Sequence, residues 1–75
     1  MRERIKEIMK VVFNLSVIPD DVSNKNCPEW DSMHHLSLVI ELESSFNIAF
    51  EPDEINEMKS LEMIERVIIK KGKLS

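Results

Sequence analysis

The 75-residue sequence has few of the residues that make turns, cross-links or membrane spans. One Gly, three Pro and no Tyr leave few hairpin-turn signals, while abundant Leu, Ile, Met, Glu and Lys favour helices. The single cysteine, Cys27, cannot form an internal disulfide, so the core alone must hold the fold. No signal-peptide pattern opens the chain, and no apolar run approaches the roughly 20 residues of a membrane span. We therefore expect a cytoplasmic protein with no membrane insertion.

Positive charge is missing from the middle of the chain. All ten Lys and Arg lie at or before Lys25 or at or after Lys59, and the segment between these two lysines holds eight acids. The middle thus carries −8, whereas the flanks, with the other six acids, carry +4. Such an acidic surface repels nucleic-acid phosphate and attracts basic protein surfaces. We expect protein partners and no nucleic acid.

Apolar periodicity predicts one domain over residues 1–75, an all-α fold built as a small four-helix bundle with three longer helices and one short helix. The predicted helices run from Arg2 to about Asn14, from Ser32 to Phe46, over about 53–58, and from Leu61 onward behind a Ser60 cap. Lys70 and Lys71 favour the last C-terminus, and Gly72 is predicted to end the helix in the left-handed conformation. A long loop separates the first two helices. Loops of this length are often functional.

Each predicted helix has an apolar face. In the second helix that face is predicted to hold His35, Leu36, Val39, Leu42 and Phe46, with Met33 and Ile40 on its shoulder. Ile55 and Met58 of the short helix, and Leu61, Ile64, Val67 and Ile68 of the last, should also face the core. Glu43 falls near the apolar stripe for no reason that the sequence reveals.

The stretch CPEWDSMHH, residues 27 to 35, combines the chain's only Cys and Trp with both of its His residues. The spacing of Cys27, His34 and His35 fits no usual zinc arrangement, and adjacent His residues on a helix point about 100° apart. A Cys–His nucleophile would need an oxyanion hole and a cleft that nothing in so short a chain supplies. We expect no metal site and no catalytic site. Trp30 is expected to plug the core.

Ser32 is the candidate that remains. Asp31 is a favoured N-cap, and it would place the Ser32 hydroxyl at a helix N-terminus, where free N–H groups and the helix dipole favour phosphate. No base forms a triad with this serine, and no basic residue lies near it in sequence. The pattern indicates a serine that another protein modifies. Asp-Ser as a plain helix cap is the alternative.

The triplet Asp31-Ser32-Met33, the helix HHLSLVIELESSF, and the later stretches NIAFEPDEI and MKSLEMIERVI together resemble the acyl carrier proteins over nearly the whole chain. The resemblance implies 4′-phosphopantetheine, taken from coenzyme A by a separate phosphopantetheinyl transferase and attached to Ser32, with Asp31 capping the helix beside it. It implies a non-catalytic carrier of thioester-bound acyl or aminoacyl groups. We expect a monomer that meets acyl-loading and acyl-consuming enzymes with basic docking surfaces.

The resemblance also assigns a docking face and a cargo lining. The docking residues are Met33, Ile40, Glu41, Asp53, Glu54 and Glu57, and the cargo-lining residues are Val39, Ile48, Ile55, Met58 and Leu61. Trp30 stands where fatty-acid carriers usually have a small residue, and this form is more similar to carriers of specialised pathways: polyketide, nonribosomal peptide or cell-surface lipid. The alternative is an unmodified acidic helical interaction module in which Ser32 only caps a helix.

Overall fold

The computed structural model describes residues 1–74, which form four helices: α1 (Arg2–Phe13), α2 (Ser32–Phe46), α3 (Pro52–Glu57) and α4 (Leu61–Leu74). Helix α1 packs against α2 and α4, and α3 packs against α4. The Cα radius of gyration is 11.3 Å, which agrees with the value of about 11 Å expected for a compact chain of this length. The predicted all-α bundle with one short helix is confirmed.

The helix ends follow from local chemistry. Asn14 and Asn47 end α1 and α2 in the left-handed conformation, with φ of 56° and 55°, which Asn adopts more readily than most residues. The Asp31 side chain accepts the backbone N–H of His34 and caps α2 as predicted. The Ser60 hydroxyl accepts the backbone N–H of Met63 at 3.2 Å and caps α4, also as predicted.

The core is formed by one face of each long helix together with the long loop. Its fully enclosed side chains are Ile5, Met9, Leu38, Leu42, Met58, Leu61 and Ile64. Val67 and Ile68 complete the buried face of α4 that the periodicity predicts. At the edge of the core, the Arg2 guanidinium on α1 donates two hydrogen bonds to the Glu65 carboxylate on α4, with N···O distances of 3.0 and 3.1 Å.

The loop over residues 14–31 is ordered by four buried side chains: Ile18, Val22, Cys27 and Trp30. Its middle is also fixed to the connection between α3 and α4. Leu61 donates its backbone N–H to the carbonyl of Val22 at 3.1 Å, and Asn24 donates its own to the carbonyl of Lys59 at 2.9 Å. An antiparallel bridge joins Ser23 and Ser60 between these two bonds. The loop therefore forms one wall of the domain.

The predicted core face of α2 is wrong in one position. Leu38 is fully buried, whereas Leu36 is 58% exposed. Helix α2 carries apolar residues almost all round, so its periodicity does not fix which side faces inward. Packing against α1 turns the Leu38 side toward the core, and Leu36 joins Met33 and Ile40 on the outside.

Two helix boundaries also differ from the prediction. Helix α3 begins at Pro52 rather than at 53 and ends at Glu57, because proline suits the first helical position. Met58 is its C-cap residue and is fully buried. Gly72 does not end α4: it has no positive φ, and the helix continues through it to Leu74.

The structure explains the placement of Glu43 beside the apolar stripe of α2. Its carboxylate accepts the backbone N–H of Phe50 at 2.8 Å. Its carbonyl accepts the N–H groups of Asn47 and Ile48 as the chain leaves the helix. Glu43 therefore holds the turn that leads to α3.

Candidate functional site

Ser32 is the first residue of α2 and is exposed to solvent. Within residues 1–74, its hydroxyl forms no hydrogen bond to another protein group. The cap is made one residue earlier, by Asp31. The Ser32 side chain is therefore accessible, and a plain capping role belongs to its neighbour.

An open groove of 520 Å³ runs beside Ser32. It lies between the long loop, the first turns of α2, helix α3 and the start of the α3–α4 connection. Its lining residues are Asn24, Trp30, Asp31, Ser32, His35, Leu36, Ile55, Asn56 and Lys59. The volume falls in the range of small-molecule sites. The groove combines apolar contact area with carboxylate, amide, imidazole and ammonium groups.

Trp30 and His35 join the walls of this groove. Trp30 is 5% exposed and donates its indole N–H to Nδ1 of His35 at 3.0 Å. The other ring nitrogen of His35, Nε2, lies 2.9 Å from the carbonyl oxygen of Ile55 on α3. Since Nδ1 accepts, Nε2 must carry the proton and donate to Ile55. The chain of bonds thus connects the loop, α2 and α3, and Trp30 plugs the core as predicted.

The electrostatics at the start of α2 centre on Asp31. Hydrogen bonds from the backbone N–H and then from the side chain of His34 hold the pKa of Asp31 below its ordinary value. Asp31 is therefore ionised at neutral pH. Its negative charge lies at the positive end of the helix dipole, where an anion is favoured.

The remaining residues of the CPEWDSMHH stretch form no reactive cluster. Cys27 is buried, its Sγ lies 3.6 Å from a carboxylate oxygen of Glu29, and burial raises the pKa of its thiol. The ring of His34 contacts Asp31 at 2.8 Å and lies edge-on to Phe13. In the described part of the chain, no group of three or more His, Cys, Asp or Glu side chains could hold a metal ion.

The predicted docking residues fall into two groups on the surface. Met33 and Ile40 are 79% and 62% exposed on α2, and exposed Glu41 lies on the same helix. Asp53 and Glu57 are exposed on α3. Glu54 differs, because its carboxylate accepts the backbone N–H of Glu51 at 2.7 Å and pairs with Lys71 at 2.8 Å. These bonds hold the pKa of Glu54 below its ordinary value.

The predicted cargo-lining residues lie inside the bundle or at its edge. Val39, Met58 and Leu61 are buried in the core, while Ile48 and Ile55 pack against it and remain partly exposed. Only Ile55 of this set also lines the groove. The set therefore surrounds the packed interior between α2, α3 and α4.

Three lining residues of the groove were not among the sequence candidates: Asn24, Asn56 and Lys59. Lys59 has a weak signal in the sequence, since it ends the stretch that lacks basic residues. The two asparagines have none. They meet beside Ser32 only because the loop bonds to the α3–α4 connection.

Comparison with protein-family models and with curated proteins found no match to this sequence. Comparison with solved structures found eight matching chains. Among them, a protein from Mycobacterium tuberculosis described as "a putative acyl carrier protein" superimposes with a TM-score of 0.78 at 20% identity. The superposition covers 87% of this chain and 89% of the other.

The fold is that of an acyl carrier protein. The order of the helices, the short third helix and the long first loop are as the sequence resemblance predicts. In this acyl-carrier fold, Ser32 stands at the start of α2. None of the helices within residues 1–74 is long and apolar enough to cross a membrane.

Proposed function

We propose that this protein is an acyl carrier protein whose Ser32 holds a 4′-phosphopantetheine arm. The observation that carries the proposal is the placement of an exposed, unbonded serine hydroxyl at the first position of α2, directly after the capping Asp31. Such a placement leaves the hydroxyl free for an incoming phosphorus atom. The acyl-carrier fold supports the same role.

The attachment step needs only an accessible nucleophile from this chain. The Ser32 Oγ attacks the β-phosphorus of coenzyme A, and an Oγ–P bond forms as the bond to the adenosine 3′,5′-bisphosphate leaving group breaks. The hydroxyl proton passes to a base of the transferase, which also holds Mg²⁺. Asp31 and His34 pair with each other beside Ser32, and no group within residues 1–74 hydrogen-bonds the Ser32 hydroxyl to activate it. We therefore propose that the chain is a substrate and a carrier, with no catalysis of its own.

The residues near Ser32 suit the group that would be attached. The N–H groups and dipole of α2 favour a phosphodiester at its N-terminus, and the adjoining groove offers polar and apolar contacts for an extended chain. When bound, the arm supplies a terminal thiol that carries acyl or aminoacyl groups as thioesters. Val39, Ile48, Ile55, Met58 and Leu61 are the proposed lining for cargo that enters the bundle.

The partners are proposed to be a phosphopantetheinyl transferase and separate acyl-loading and acyl-consuming enzymes. Met33 and Ile40 give them an apolar contact on α2, and Leu36, which lies between them in sequence, extends it. Glu41, Asp53 and Glu57 add exposed negative charge for basic enzyme surfaces. Glu54 belongs to this acidic surface as well, although Lys71 partly neutralises it.

A specialised pathway in the cytoplasm, rather than housekeeping fatty-acid synthesis, is proposed from the Trp30-Asp31-Ser32 sequence. Here Trp30 is committed to the core and to His35, so a small residue could not replace it without loss of packing. The test of the function is incubation with coenzyme A, Mg²⁺ and a promiscuous transferase, followed by mass measurement. A mass gain of one phosphopantetheine supports carriage, and an unchanged mass overturns it.

A further inference from the structure

Three polar groups in the groove beside Ser32 have no partner within residues 1–74. They are the side-chain amides of Asn24 and Asn56 and the ammonium of Lys59. Apart from the Ser32 hydroxyl itself, the other polar side chains of the groove already have partners, since Asp31 binds His34, and Trp30 and Ile55 bind the two ring nitrogens of His35. The groove thus presents two amides and one cation to whatever enters it.

The three groups come from separate elements that the backbone fixes together. Asn24 belongs to the long loop, Asn56 to α3, and Lys59 to the α3–α4 connection. The bond from the Asn24 N–H to the Lys59 carbonyl and the bridge between Ser23 and Ser60 hold the loop against that connection. The bond from His35 to Ile55 holds α3 against α2. The arrangement is therefore built into the fold.

The groove carries one positive charge from a Lys or Arg side chain. Lys59 is the one cationic residue lining the groove, and it follows a segment with eight acids and no Lys or Arg. Three lysines are paired with acids: Lys6 with Asp20, Lys10 with Glu7 and Lys71 with Glu54. Lys25 and Lys70 have no acid partner within the described residues, but neither lines the groove. Lys59 has no such partner in the described residues. The Lys59 ammonium is therefore available to bind the negatively charged phosphodiester that is proposed to form on Ser32.

We infer that this groove is the resting site of the phosphopantetheine arm, an inference that rests on the proposed function. Lys59 binds the phosphodiester on Ser32, the Asn24 and Asn56 side chains bond to the two amide groups of the arm, and Leu36 and Ile55 cover its geminal methyl groups. The arm therefore lies along the groove for part of the time, and its thiol leaves the surface only when a partner enzyme takes it.

The test compares the unloaded protein with the protein loaded from coenzyme A, using amide NMR. The chain has five Asn and no Gln, so its side-chain NH₂ signals are few and separable. Loading is expected to shift the side-chain signals of Asn24 and Asn56, both far from Ser32 in sequence, and to leave those of Asn14 and Asn47 unchanged. Shifts confined to residues next to Ser32 would show a free arm and overturn the inference.

Lys59→Gln is the decisive variant, and Lys25→Gln is its matched control. Lys25 lies beside Asn24 in sequence but does not line the groove. Its replacement by Gln changes the net charge by the same amount as Lys59→Gln and leaves the groove intact. Lys59→Gln is expected to lower the ratio of bound to free arm by about threefold, the effect of one exposed ion pair. If loading shifts the side-chain signals of Asn24 and Asn56 equally in the two variants, the role of Lys59 is overturned. The mass gain is measured on the same samples, and its absence would instead overturn the proposed function.

Discussion

The indole N–H of Trp30 and Nδ1 of His35, 3.0 Å apart, form a hydrogen bond that fixes the proton of neutral His35 on Nε2. Through that proton His35 also binds the carbonyl oxygen of Ile55, so one imidazole holds α3, which has no buried residue of its own, against α2 and the loop. The wall of the groove beside Ser32 depends on this imidazole. A polar side chain on an otherwise apolar face is thereby explained.

His35→Leu is expected to lower the free energy of unfolding by about 1–3 kcal/mol, because it leaves the buried indole N–H without an acceptor. Ser37→Ala, at an exposed position on the same helix, is the control and should change it by less than about 0.5 kcal/mol. Urea unfolding measures both. The loss in Trp30→Phe/His35→Leu should be smaller than the sum of the single losses, since both partners of the bond are gone. A double variant whose loss of stability equals the sum of the two single losses would contradict the hydrogen bond between Trp30 and His35.

The bond also predicts a tautomer. The ¹⁵N spectrum of the neutral His35 ring should show an unprotonated Nδ1 and a protonated Nε2. The opposite tautomer would place two N–H groups against each other at Trp30 and would contradict the structure.

Leu38 and Leu36 test which side of α2 faces the core. Leu38→Ala should cost about 2–5 kcal/mol, the usual loss for a fully buried leucine, which is most of the stability expected for so small a domain. Leu36→Ala should change stability by less than about 0.5 kcal/mol. Circular dichroism during urea or thermal unfolding distinguishes the two. Equal losses would contradict the observed rotation of the helix.

The cap at Asp31 predicts part of the acid sensitivity of the protein. Its pKa is lowered in the folded state by hydrogen bonds from His34, so its contribution to stability is fully present above the ordinary value of 3.8. That contribution is lost as the pH falls below 3.8 and through the lower pKa of the folded state. Asp31→Asn keeps a capping side chain but cannot titrate. Its free energy of unfolding should therefore fall less than that of wild type between about pH 6 and about pH 2. Asp53→Asn, which removes an exposed carboxylate that makes no side-chain hydrogen bond within the described residues, is the control for the change of net charge. Identical pH profiles for wild type and Asp31→Asn would contradict the effect.

The exposed apolar residues Met33 and Ile40 of α2 are predicted to contribute to enzyme docking and not to stability. Met33→Ala/Ile40→Ala should lower kcat/KM for loading by the transferase by about tenfold, as expected for truncated interface anchors, without lowering the melting temperature. Val11→Ala removes an equally exposed apolar side chain from α1 and should leave both quantities unchanged. Normal loading of the double variant would remove these residues from the docking face.

The sequence predicted the helices well because their ends are local. Asp31, Asn14 and Ser60 act on N–H and C=O groups within a few residues, and Pro52 fixes its own φ. Gly72 shows the limit of such signals, since a glycine near a helix end permits the left-handed conformation but does not require it.

The inward side of α2 and the groove could not be predicted in the same way. Leu36 and Leu38 are chemically identical, and only packing against α1 decides which is buried. Asn24 and Lys59 are distant in sequence and meet through backbone bonds that any residue types could make. His35 was expected on the core side but its two bonds were not, because Trp30 precedes the helix and Ile55 lies beyond it.

The most direct test of the whole account is the mass of the protein after incubation with coenzyme A, Mg²⁺ and a promiscuous phosphopantetheinyl transferase. Wild type and Ser37→Ala, which alters an exposed serine on the same helix, are predicted to gain one phosphopantetheine each, while Ser32→Ala stays unchanged and folded. A wild-type mass that does not change, or a gain that survives Ser32→Ala, would contradict the carrier function and leave an unmodified interaction module as the better description.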